Sequence, residues 1–199
     1  MNYLAHLLLA GDHPHNIGGL LGDFAKGNVW QQYPQELALE IMLHRKIDSY
    51  TDSHLIVKQA KLRFPPPKRK YAGIVLDVFY DHVLAVNWAD YHQQPLTDFS
   101  QQVYANLLNQ HAILPDKLQF ALPIMIEEDW LSNYVSFEHI KTTIQRIAKR
   151  LKRENLLADC LPELEQYYDL FVTDFKLFFP ELMMFVEQQR QEFRAIYNL

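Results

Sequence analysis

His44, Asp48 and Asp52 follow one another at four-residue intervals in the run His44-Arg45-Lys46-Ile47-Asp48-Ser49-Tyr50-Thr51-Asp52. On a helix such residues stack along one face, with Cβ atoms about 5–6 Å apart at each step. A second run, Leu76-Asp77-Val78-Phe79-Tyr80-Asp81-His82, repeats the device. Asp77 and Asp81 share a face there, and His82 points about 100° away from Asp81. Ile74, Leu76, Val78 and Leu84 surround these acids, so at least one carboxylate is expected near the core. A buried carboxylate needs a positive partner or a metal. Two such helices face to face would assemble imidazole and carboxylate ligands, a mix suited to Mn²⁺, Mg²⁺, Fe²⁺ or Zn²⁺ rather than a soft metal. The same spacing also serves a plainer end, because a His and an Asp one turn apart can simply hydrogen-bond. Spacing leaves both readings open.

Two further residues join the candidates. Asp23 sits in Gly18-Gly19-Leu20-Leu21-Gly22-Asp23-Phe24, where glycine permits close backbone approach. The segment lacks the G-x-G-x-x-G spacing of a dinucleotide site, which leaves Asp23 as a ligand, a base or a cap. His6 lies among apolar residues near the start, as a ligand or a hydrogen-bonded core histidine. Nucleophile motifs are missing: there is no G-x-S-x-G elbow and no P-loop. Cys160, the single cysteine, has no obvious base beside it and excludes both a disulfide and a Cys-rich zinc site.

The elements that must carry these residues read as helical. Residues 2–10 suggest a short helix with Asn2 as its cap, and 17–26 a helical turn or two. Pro34 opens a helix to about Asp52, followed by an irregular stretch to Phe64. The triple proline at 65–67 marks a connection. Lys70 to Tyr91 is helical with a buried face, Thr97 caps a helix through Leu108, and 115–122 is short. Ser136 caps a helix through about Leu151. Two last helices, 161–179 and 181–197, are separated by Pro180. Tyr167, Tyr168, Phe171, Phe175, Phe178 and Phe179 follow helical spacing as core residues. The expected fold is all-α, one domain over residues 1–199 with about seven to nine helices.

Composition agrees with that class. Of 199 residues, 49% are apolar and 22% charged, which argues against disorder. The apolar start MNYLAHLLLAG is too short to span a membrane and lacks the features of a signal peptide. These features predict a cytoplasmic protein. The net charge is -5, yet residues 58–70 (with Lys68, Arg69 and Lys70) and 141–153 (with Arg146, Lys149 and Arg150) hold six basic residues each and no acid. Two basic patches on an acidic protein suggest attraction of an anionic partner. The alternative is two solvated helix ends. A nucleic-acid partner is not expected, given the negative charge and the absence of a recognised module.

Taken in order, Asn2-Tyr3-Leu4-Ala5-His6, Gly22-Asp23-Phe24, His44-Arg45-Lys46-Ile47-Asp48, Asp52, and Leu76 to His82 with Trp88 resemble the acyl carrier protein phosphodiesterase family. The resemblance implies hydrolysis of the phosphodiester joining 4′-phosphopantetheine to a serine of holo acyl carrier protein. It also implies a divalent cation, manganese first, with magnesium or iron as alternatives. The implied fold is a divergent form of the helical HD phosphohydrolase superfamily. That superfamily's His-Asp dipeptide is absent here, and the nearest equivalent is the reversed Asp81-His82.

On this basis Asp23, His44, Asp77 and Asp81 are the expected metal shell. Asp48 or His82 would complete or orient it, and His6 would be a further ligand or a partner of one. Metal-activated water would attack phosphorus, with Arg45 and Lys46 meeting the remaining phosphate charge. Lys68, Arg69, Lys70, Arg146, Lys149 and Arg150 are the expected docking residues for the acidic carrier protein. Two rivals are an HD-type hydrolase of nucleotides or small phosphate esters, and a non-enzymatic helical protein that binds the carrier. Nothing in the residues bears on oligomeric state.

Overall fold

The computed structural model describes residues 1–198. Eleven α-helices, joined by short 3₁₀ turns, make up the described chain, and it contains no strand. They are α1 (Tyr3–Ala10), α2 (Gly18–Leu21), α3 (Gln35–Ser53), α4 (Leu55–Lys61), α5 (Pro66–Arg69), α6 (Ala72–Val86), α7 (Leu96–Asn109), α8 (Asp116–Glu127), α9 (Phe137–Arg150), α10 (Leu161–Gln166) and α11 (Tyr168–Tyr197). None is long and apolar enough to cross a membrane.

The hub is α6. Eleven of its residues are buried, among them Leu76, Phe79, Tyr80, Asp81, His82 and Leu84. A helix that is apolar nearly all round has to be central, and α6 packs against α1, α9 and α11. Helix α3 lies against α2 and α11, burying Leu37, Ala38, Ile41, Leu43 and Ile47. Each of the leucine and isoleucine side chains contributes about 2 kcal/mol of burial.

The all-helical expectation holds, but the helix count is higher than seven to nine. Residues 55–61 form α4, where irregular chain was expected. Only Val57 and Ala60 are buried there while Leu55 and Leu62 are exposed, so the periodic signal is weak. The triple proline begins α5, because the first turn of a helix needs no N–H from its prolines. Pro180 does not break the last helix: α11 runs 30 residues through it. Pro180 is exposed, while Phe175, Phe178, Phe179 and Leu182 around it are fully buried. Their burial outweighs the roughly 3 kcal/mol cost of an interior proline.

Capping was partly legible. The Ser136 hydroxyl accepts from His139 N at the start of α9, as expected. Asn2, by contrast, makes no side-chain cap on α1 and instead donates to the Tyr134 hydroxyl at 2.7 Å. The first turn of α1 is capped from across the molecule, by Asp81.

Candidate metal centre

Three helices converge at one end of the bundle. Helix α3 carries His44 and Asp48 one turn apart, and α1 brings in His6. His6 Nε2 lies 3.0 Å from Asp48 Oδ1, and His44 Nε2 lies 3.2 Å from Asp48 Oδ2. The two imidazoles stack, with centroids 3.8 Å apart. Among the described residues, His6, His44 and Asp48 each offer a donor atom within 4.8 Å of the others. Asp23, on the loop after α2, places Oδ1 3.6 Å from His44 Nε2.

The glycines next to Asp23 explain how this group packs. A Cβ on Gly22 would fall 2.1 Å from His44 Cγ, and one on Gly19 would fall 2.5 Å from the His6 carbonyl oxygen. Only hydrogen at these positions lets α2 slide between α1 and α3. The Gly19 carbonyl then sits 2.6 Å from His44 Nδ1. It accepts the Nδ1–H and aims Nε2 at the two carboxylates, as the carbonyl partners of metal-binding histidines do.

Electrostatics follow from burial and these contacts. Burial would lower His44, but hydrogen bonds to Asp23 and Asp48 raise it to about 9. Burial, reinforced by neighbouring His44, pushes His6 down to about 4. Partial burial would raise Asp48, yet hydrogen bonds from His44 and His6 overrule it and hold the carboxyl well below the ordinary range. Near neutral pH the pair of imidazoles thus carries one positive charge, on His44. His6 Nδ1 is buried and has no partner. Two imidazoles and a carboxylate, with a proton held where a cation would sit, fit a divalent metal.

The other expected ligands are used differently. Asp77 lines the same cleft and lies 2.8 Å from the Met1 amine, which is 3.9 Å from Asp48. Burial raises the Asp77 carboxyl against the pull of that amine. Asp81 is fully buried and turned to backbone: Oδ2 accepts from Leu4 N at 2.7 Å, and Oδ1 accepts from Asn2 N and Ala5 N at 3.3 Å. Burial pushes Asp81 up to about 7 despite the amine and these donors. With both oxygens committed, it supports α1 rather than facing the cluster. His82 is also diverted, with Nδ1 2.7 Å from the Tyr134 carbonyl and Nε2 2.8 Å from the Tyr168 hydroxyl. Its 100° offset from Asp81 on α6 sends it to a different neighbour. Arg45 gives N–H groups to the carbonyls of Gly27 and Ala25, tying that loop to α3, and Lys46 lies 6.0 Å from the Phe193 ring.

The cleft over the cluster encloses about 240 Å³, with Asp23, Asp48, Asp52, Asp77 and Thr51 on its walls. Thr51 was legible in the sequence as the residue seven after His44 and was missed. Ile147, on the far wall, comes from α9 and gave no local signal.

The acyl carrier protein phosphodiesterase family model matches residues 1–182. The chain belongs to that family. Acyl carrier protein phosphodiesterases of Enterobacter sp. (strain 638) and Yersinia pestis are each 35% identical over 189 residues, covering 92% of this chain and 96% of theirs. The Klebsiella pneumoniae protein of the same name is 34% identical over 195 residues, covering 96% of this chain and all of its own. No solved structure matches the chain. The His6–His44–Asp48 group, beside its acid-lined cleft, is the candidate centre on its geometry.

The expected docking residues divide into two kinds. Lys68 is held by Glu163 at 2.7 Å, Arg69 donates Nε–H to the Phe64 carbonyl, and Lys70 lies over Tyr71. In the second segment Arg146 pairs with Glu128 at 2.7 Å. Lys149 and Arg150 are exposed and make no ion pair among the described residues.

Proposed function

We propose that this protein hydrolyses the phosphodiester joining 4′-phosphopantetheine to a serine of holo acyl carrier protein. Water adds its oxygen to phosphorus, the P–O(Ser) bond breaks, and the serine oxygen takes up a proton. The products are apo acyl carrier protein and 4′-phosphopantetheine. The observation that carries this reading is the His6–His44–Asp48 group in a chain of this family.

His6, His44 and Asp48 would hold a divalent cation, manganese first and magnesium or iron as alternatives, with Asp23 and Asp77 bordering it. When bound, the cation supplies Lewis acidity that acidifies water and draws charge from the phosphoryl oxygens. Gly19 keeps His44 in the tautomer that presents Nε2. Asp23, exposed at the cleft wall, is the candidate to accept the proton of the attacking water. Asp77 would contribute by position rather than by ligation. Kinship with the HD phosphohydrolases is part of the proposal, supported by the helical class and the His/Asp donors.

For the partner, Lys149 and Arg150 are the stronger docking candidates, because their charge is not spent on internal acids. Lys68 is the weaker one.

Purified protein loaded with Mn²⁺ should convert holo to apo acyl carrier protein, read as the mass loss of the phosphopantetheine group, and a chelator should stop it. An unchanged carrier mass, with turnover of a nucleotide panel instead, would replace this reading by the nucleotide one. Turnover that survives complete metal removal would end the metal's role.

A further inference from the structure

The cleft at the His/Asp group continues beyond its own walls. Asn2 and Ile147 are shared with a second cavity of about 90 Å³. That cavity in turn shares Tyr3, Trp130, Arg146 and Arg150 with a wider one of about 540 Å³. The three cavities thus adjoin in series, the first at the reacting centre and the last bounded by Phe120 and Ile124, and we read the series as one trench. Those two α8 side chains are 81% and 42% exposed.

The middle section restricts what can lie there. At about 90 Å³ it is too small for a helix, which is about 10 Å across. Its lining is mixed. Tyr3, Trp130 and Tyr134 offer rings, Ile147 an aliphatic edge, Asn2, Thr143 and His139 polar groups, and Arg146 and Arg150 charge. A plain acyl chain would set hydrocarbon against Thr143, His139 and the two arginines. A slender chain that alternates methyl-bearing and amide segments satisfies both kinds of wall. Because the trench starts at the centre, its occupant has to be attached to the reacting phosphorus. On the proposed reaction phosphorus carries two groups, a folded protein and a flexible diamide thread ending in a thiol. Only the thread fits.

We infer that this trench is the subsite for the pantetheine thread, with Tyr3, Trp130, Thr143 and Ile147 as its specificity-determining contacts. The inference rests on the hydrolytic reading of the site. It assigns residues on α9 and before Ser132 to substrate selection, far in sequence from the metal-binding group.

The test uses the full chain with Mn²⁺, and pantetheine, which lacks the phosphate, as the probe. Pantetheine should inhibit competitively and change the emission of Trp130, a change that Trp130→Phe removes. Thr143→Phe fills the section. It should raise the KM for holo carrier protein about tenfold with much less effect on kcat, and abolish inhibition by pantetheine. Mn²⁺ titration like that of the wild type would show the fold and centre intact. If Thr143→Phe misfolds, Trp130→Ala, which widens the same section, should raise KM in the same way. Wild-type KM and wild-type pantetheine inhibition in the folded variant would overturn the trench assignment. If the wild type leaves holo carrier protein uncleaved, the hydrolytic reading fails instead. The trench is then decided by pantetheine's effect on Trp130 emission, whose absence overturns it.

Discussion

Asp81 Oδ2 accepts the backbone N–H of Leu4 at 2.7 Å, so a residue in the middle of α6 caps the first turn of α1. Two more amides, those of Asn2 and Ala5, point at its other oxygen. Helix α1 carries His6, and the cap sets where that imidazole meets Asp48. The carboxylate expected from the sequence as a metal ligand takes backbone donors instead, in the helix that carries His6.

Replacing Asp81 by Ala should therefore cost stability as well as activity, contrary to what a pure ligand would show. Three backbone amides, two of them buried, lose their acceptor, a loss of about 3 kcal/mol. Asp81→Asn keeps one carbonyl acceptor and should lose roughly half as much. Thermal melts under chelation, with Mn²⁺ calorimetry beside them, check this. An Ala variant that melts and binds Mn²⁺ like the wild type would remove the cap from the account.

Gly22 is the most sensitive small position. A methyl group there would sit 2.1 Å from His44 Cγ, so the imidazole has to leave its place. Gly22→Ala should lower stability by about 1–3 kcal/mol and weaken Mn²⁺ binding at least about tenfold. Unchanged Mn²⁺ affinity in the variant would show that His44 is not a ligand.

The raised pKa of His44 makes both stability and metal uptake depend on pH. In metal-free protein its ion pairing stabilises the fold fully below about pH 6.5, the unfolded value. That contribution is lost as pH rises through about 9. Asp48, held low, contributes in the opposite sense: its share is present above about pH 4 and lost in more acidic solution. The melting temperature under chelation should fall between pH 7 and 9, and Asp48→Asn should flatten that fall. A cation at His44 displaces the proton, so Mn²⁺ affinity should climb toward pH 9 with proton release. Calorimetry in buffers of different ionisation enthalpy measures the proton, and a value of zero would contradict a protonated His44.

Charge reversal separates the two basic segments. Lys149→Glu, which leaves Arg150 on the trench wall in place, should raise the KM for the carrier protein about threefold, and the effect should shrink at high salt. Arg69→Glu with Lys70→Glu should do much less. Steady-state kinetics at two ionic strengths decide it, and the reverse ranking would move the docking face to residues 58–70.

Much of this protein was determined by local sequence. The helical class, the start of α3 after Pro34, the Ser136 cap and the aromatic core of α11 all follow from periodicity and capping chemistry, which act over a few residues. So does the placing of His44 and Asp48 on one face. What only the tertiary structure decided is which residues meet. His6 reaches Asp48 across 42 positions, and the amide of Leu4 reaches Asp81 across 77. From spacing, Asp77, Asp81 and His82 looked equivalent to His44 and Asp48. Packing gave Asp81 to the amides of α1, and His82 to Tyr134 and Tyr168. A buried carboxylate or imidazole takes whichever donors or acceptors the neighbouring helix presents. Periodicity can place a side chain on a face, but only the packed fold determines what that face meets.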